Sequence, residues 1–109
     1  MAFTEKKLVV QSLGTATSTL YTTPADTTTI LRDIHVCNNS TANCYFSLWL
    51  VPSGTSATDS NVMFKEWDVP ANDFVHWTGW QVLNVGDTIQ GLSENDGQIT
   101  VHISGAEIT

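Results

Sequence analysis

Residues 44–51, Cys-Tyr-Phe-Ser-Leu-Trp-Leu-Val, restrict this chain more than any other segment. Their aromatic and apolar content reads as a strand, and strand side chains alternate between faces with a period of two. Cys44, Phe46, Leu48 and Leu50 therefore share one face, and Tyr45, Trp49 and Val51 share the other. Ser47 is the only polar interruption. A strand in a small antiparallel sheet usually keeps one face wet. A strand that is apolar on both faces needs a core on one side and a second cover on the other. In a chain of 109 residues, a second polypeptide is a natural source of that cover. With the preceding run Ile30–Asn38, the segment reads as a long β-hairpin across residues 30–54, turned at Asn38–Asn43.

The length suits one domain with one core. Charged residues make up 14% of the chain, against roughly 25% in typical soluble domains. Thr and Ser fill the difference, which favours strands, turns and surfaces that pack on other surfaces. The formal net charge is −7, and the only cations are Lys6, Lys7, Arg32 and Lys65. Phosphate neutralisation needs many more, so nucleic acid is excluded as a partner, and anionic membrane with it. No apolar run approaches the roughly 18 residues that span a bilayer. The N-terminal residues lack the apolar stretch of a signal peptide, so the expectation is assembly in a cytoplasm. Cys37 and Cys44 flank the turn. They form either a cross-strand disulfide, if the register opposes them, or two small buried thiols in a reducing compartment, which is the preferred reading.

Helical periodicity is absent, and turn signals recur at short intervals, the pattern of an all-β sandwich or barrel. Strands are expected at Lys7–Leu13, Thr19–Thr22, Thr27–Asn38, Cys44–Val51, Asn61–Val69, Phe74–Leu83, Thr88–Ser93 and Gln98–Glu107. The sixth reads either as one strand bent by a bulge at Gly79 or as two strands. Glu94-Asn95-Asp96-Gly97 carries a hairpin signal. About eight strands predict a single antiparallel β-sandwich of jelly-roll type over residues 1–109. Residues 1–7 read either as an arm reaching onto a neighbour, with Phe3 as its apolar anchor, or as a lead-in to an edge strand.

Side chains for catalysis are not concentrated anywhere. His35, His76 and His102 fall on three different strands, and no nucleophile motif accompanies them. No Cys or His cluster offers a metal site. Glu66 and Asp68 lie two apart and read as solvated acids before they read as a glycosidase pair. Asp59, Asp87 and Glu94–Asp96 lack Ca²⁺-loop spacing. The expectation is therefore no enzyme, no cofactor and no metal. Trp49, Trp67, Trp77 and Trp80 are many for this length. They serve either sugar stacking or a core with interface anchors. Large apolar groups on both faces of three strands favour the second. Tyr45, Trp49, Met63 and Trp67 join Phe3 as candidate interface residues, in a homo-oligomer expected to be a trimer.

The runs Leu20–Thr28, Ile34–Asn38, Val51–Gly54, Val69–Asp73, Val85–Ile89 and Ile103–Glu107 resemble small β-sandwich virion structural proteins of tailed bacteriophages. The likeness extends from about residue 14 to the C-terminus and rests on turn and strand signatures. It implies a virion component, either a head decoration or cement protein on the major capsid protein or a tail- or fibre-associated protein. A carbohydrate-binding lectin-like module is the alternative of another class. No functional residue is carried over by the resemblance.

Overall fold

The computed structural model describes residues 2–109. Eight strands run in chain order: β1 Phe3–Ser12, β2 Ser18–Thr22, β3 Thr28–Asn38, β4 Cys44–Val51, β5 Val62–Val69, β6 Phe74–Leu83, β7 Thr88–Ser93 and β8 Ile99–Ile108. They form two four-stranded antiparallel sheets with orders β1-β8-β3-β6 and β2-β7-β4-β5. This is the jelly-roll arrangement expected for paired Greek keys. Among the described residues there is no helix.

Alternation builds the core. Ile34 and Val36 on β3, Ile99, Val101 and Ile103 on β8, and Cys44, Phe46 and Leu48 on β4 are all buried and pack together with Ile89 of β7. Each such aliphatic side chain contributes about 1.5–3 kcal/mol when fully buried. The even–odd reading of β4 holds at Cys44, Phe46 and Leu48, which are fully buried, against the half-buried Tyr45 and Trp49. It fails at the strand's end, where Val51 is buried and Leu50 half-buried, and Ser47 is buried on the side expected to be outer.

The pairing differs from the expected hairpin. β3 lies between β8 and β6, whereas β4 lies between β7 and β5 in the opposite sheet. Residues 39–43 carry the chain from one layer to the other. A local turn signal therefore does not imply local pairing. The turn at Glu94–Gly97 likewise joins β7 and β8 of different sheets. Only β4 and β5 are both consecutive and adjacent. The two thiols consequently sit in different sheets and are free, Cys44 in the core and Cys37 half-buried on β3.

The N-terminal segment is part of the sandwich. From Phe3 onward it pairs with β8, and Ala2 and Thr109 exchange backbone hydrogen bonds of 2.8 and 2.9 Å. Of the two readings of residues 1–7, within the single chain this is the edge-strand one; Met1 lies outside the described residues.

Two polar clasps tie the layers at opposite ends of β3. At its C-terminal end the buried Asn38 amide donates to the carbonyls of Ala42 (2.8 Å), Val69 (3.0 Å) and Pro70 (3.3 Å). Its Oδ1 accepts from the Ser40 backbone N–H and hydroxyl. At the other end, the Tyr21 hydroxyl of β2 donates to Glu107 Oε2 of β8 at 2.6 Å and lies 2.8 Å from Thr29 Oγ1 of β3. Lys6 Nζ reaches Glu107 Oε1 at 3.2 Å. The Tyr21 hydrogen bond, then Lys6, hold the Glu107 carboxyl below the usual carboxylate range against the opposing effect of burial. Burial first, then the bond to Glu107, push the Tyr21 phenol up to about 12.

Asn38→Ala is expected to cost about 2–3 kcal/mol, because it strands buried carbonyls whose donor is removed. A denaturant midpoint within error of wild type would contradict this clasp.

Tyr21→Phe is expected to cost about 1–2 kcal/mol near neutral pH. Because the folded-state pKa of Glu107 is depressed, its contribution is present above the ordinary carboxylate range and is lost as pH falls through the folded value. The Tyr21→Phe penalty should therefore narrow on acidification. Because the Tyr21 pKa is raised, its contribution should be full below about pH 10 and fade toward pH 12. Urea titrations across pH measure both arms, and a penalty constant with pH would count against the coupling.

Candidate interaction surface

The two outer faces of the sandwich differ in chemistry. On the first sheet, register aligns side chains from four strands into rows. Val10, His102, His35 and His76 occupy one row, since Val10 pairs with His102, His102 with His35, and His35 with His76. The three histidines, far apart in sequence, are thus neighbours. The His35 ring centroid lies 5.8 Å from that of His76 and 6.2 Å from that of His102, and it stacks on Phe74 at 5.1 Å. His76 Nε2 is 2.7 Å from Asp33 Oδ2. A carboxylate only accepts, so Nε2 carries the proton and Nδ1 is left free. Among the described residues, no group of three or more His, Cys, Asp or Glu side chains could hold a metal ion.

Exposed apolar side chains also lie on this sheet, among polar ones such as Glu5, Lys7 and Ser104. Phe74 and Trp80 are each 58% accessible, Val82 50%, Val10 49% and Phe3 62%. The guanidinium of Arg32 lies 4.9 Å over the Trp80 ring and donates from Nε to the Gly79 carbonyl at 3.0 Å. The β3–β6 register slips here, between Leu31 and Asp33, as the Gly79 signal suggests. The missing Cβ at Gly79 also leaves room for the Trp77 ring, which packs against the core. A shallow depression of about 290 Å³ opens beside Phe3, Glu5, Arg32 and Gly105.

The outer face of the second sheet is acidic. Its depression, about 350 Å³, is bordered by Tyr45, Trp49, Asp59, Lys65, Glu66 and Glu94. Asp68 is paired opposite Tyr45. Lys65 is bound to Asp59 at 3.0 Å. Ser47 is buried here, and its Oγ accepts from the Glu66 backbone N–H at 2.8 Å. Glu66 has a φ of 45°, in the left-handed region, where the β4–β5 register shifts.

That shift redistributes the expected anchors. Two irregularities in β5 break its even–odd pattern. Phe64 now pairs with Leu48 and Trp67 with Phe46, so both follow the core side. Met63 is half-buried and packs against the core. Trp67 is 51% accessible at the open edge and meets Phe64 edge-on at 6.2 Å. Tyr45 and Trp49 border the acidic depression and are half-buried by their own chain. Phe3 is exposed, on the opposite sheet from these two. The five expected residues therefore form no single patch. Asp87 organises a turn, accepting from the backbone N–H groups of Ser53 and Asn84, both at 2.9 Å.

Phe74 and Trp80 with Val82, not among the expected interface residues, are exposed along the edge strand β6. Their even spacing along one strand was the available signal. The double variant Phe74→Ser, Trp80→Ser is expected to change stability by no more than about 1 kcal/mol, since both rings face water. Phe46→Ala should cost about 3–5 kcal/mol. Thermal and denaturant unfolding compare the two, and a large loss for the double variant would place those rings in the folded-state core.

No protein-family model and no curated protein matches this chain.

Proposed function

We propose that this protein is a non-enzymatic structural component of a virion, a decoration or cement protein that stabilises the head shell of a tailed bacteriophage. The observation that carries this reading is the exposed apolar row on β6, Phe74, Trp80 and Val82, with Phe3 and Val10 on the same sheet. Exposed aromatic side chains on a small domain are a mark of interaction surfaces. The resemblance to phage β-sandwich proteins supports the virion context, and the concentration of carboxylates on the other face would repel packaged DNA. In this reading the partner is the major capsid protein together with further copies of the chain. Many weak contacts act together through multivalency. The reading assigns no reaction to the protein.

A tail- or fibre-associated role uses the same surface. The lectin-like alternative draws on the depression bordered by Tyr45 and Trp49, where aromatic rings stand beside Glu66 and Glu94.

Electron cryo-microscopy of purified particles that contain the protein tests the proposal. Hundreds of copies on the capsid are expected, and a handful at the tail would move the protein there. Native mass of the isolated protein should reveal an oligomer, with a trimer expected. Phe74→Ser, Trp80→Ser should abolish attachment while Tyr45→Ala, Trp49→Ala leaves more of it. A monomer that binds no particle, or that binds glycans on an array, would overturn the proposal.

A further inference from the structure

We propose that copies of this chain join through the two free edges of the first sheet, β6 of one copy pairing with β1 of the next, and that three copies close into a ring. This rests on the homo-oligomer of the virion reading and on nothing that reading says of a shell. β1 and β6 end the strand order β1-β8-β3-β6, so each presents a row of backbone N–H and C=O groups with no partner strand. The three antiparallel steps from β1 through β8 and β3 to β6 leave the two edges running in opposite directions. A rotation about an axis along the strands therefore sets β6 beside a neighbour's β1 with antiparallel alternation intact. Contacts between unlike surfaces form a ring when the rotation closes, and a closed sheet has no edge left to protect.

Three observations single out this contact. First, among the described residues, every large apolar side chain exposed on the first sheet lies on an edge strand: Phe3 and Val10 on β1, Phe74, Trp80 and Val82 on β6. The central strands β8 and β3 carry none. Joining the unlike edges covers both groups at once, whereas a β6–β6 pairing leaves Phe3 and Val10 in water. Second, the charges fit. Edge strands are commonly guarded against pairing by charge, shortness or bulges. β5 carries Lys65, Glu66 and Asp68 with two register irregularities, and β2 is five residues long. β6 is ten residues long and contains no Asp, Glu, Lys or Arg, although the chain carries a net charge of −7. The charges of β1, on Glu5, Lys6 and Lys7, therefore meet none of like sign on β6. Third, both edges bulge at one level of the sheet. The β1 register shifts beside Lys7, which pairs with Ser104, and the β6 register shifts beside Thr78. Asp33 pairs with both Ser104 and Thr78, so the two bends fall at the same height. Two copies would close about eight strands, whose interior is just wide enough for packed side chains. Glu5, Lys7 and Asp33 need water on this face, and a third copy widens the ring enough to admit it.

Native mass spectrometry and sedimentation of the isolated protein across a dilution series test this, with a trimer expected. The β6 variant Thr78→Lys, Val82→Lys and the β1 variant Phe3→Lys, Val10→Lys alter only exposed positions. Each should weaken self-association at least about 30-fold while circular dichroism stays that of the folded wild type. Mixed together, the two variants should form a one-to-one dimer, because each keeps the edge that the other lacks. Hydrogen exchange in the wild-type oligomer should be slower along β1 and β6 than along the other two edge strands, β2 and β5. That comparison needs no variant and decides the matter if the lysine substitutions misfold. A monomeric wild type, a dimer paired through β6 alone, a variant mixture that stays monomeric, or equal exchange at all four edges would each overturn the inference. Attachment to particles is read separately: a trimer that decorates no particle upholds this contact and removes the shell role.

Discussion

The last strand holds the first sheet together. β8 pairs with β1 along one edge and with β3 along the other, so residues 99–108 bring residues 3–12 and 28–38 into one layer. Without β8, β1 has no partner in that sheet. This closure is almost as non-local as a chain of this length permits, and non-local pairing carries loop-closure cost before any contact offsets it. The inner side chains Ile99, Val101 and Ile103 supply the burial that makes the closure favourable. Gly105 is required at the crossing because a Cβ there would run into the Ile30 carbonyl oxygen of β3. Close backbone approach of this kind is a standard reason for glycine within a strand.

Once β8 is in place, the remaining strands follow from two inner faces that must be covered. Nearly every connection crosses between layers, and each crossing exposes backbone groups that the ladders cannot satisfy. Asn38 supplies donors for three of these carbonyls at one end of β3. At the other end, Tyr21, Thr29, Glu107 and Lys6 join the two sheets through a charge-assisted network. Apolar packing thus holds the middle of the sandwich, and polar clasps fix the ends.

The same register gives the two outer faces their separate characters. Alternation places every second residue of β1, β3, β6 and β8 outward, and pairing then sorts these residues into rows. One face collects the imidazoles, Arg32 and exposed aromatic rings; the other collects Asp59, Glu66 and Glu94 around a shallow depression.

The sequence alone was sufficient for the fold class and for most strands. Cys44–Val51, Phe74–Leu83 and Thr88–Ser93 were legible to the residue, because alternation and turn chemistry are local. It also established the core side of β4 at Cys44, Phe46 and Leu48, but not at Val51, which is buried although alternation puts it on the other face. Pairing was not legible. The turns after Asn38 and Glu94 look like hairpin turns but connect different layers, since a turn's local chemistry is silent on which strand it serves. The faces of β5 were misread because the backbone irregularity at Glu66, which has a left-handed φ, shifts the alternation without a glycine to announce it. The histidines were each visible but separately uninformative. Only the register of β8, β3 and β6 makes them one row, because adjacency across a sheet is set by long-range hydrogen bonding and not by spacing along the chain.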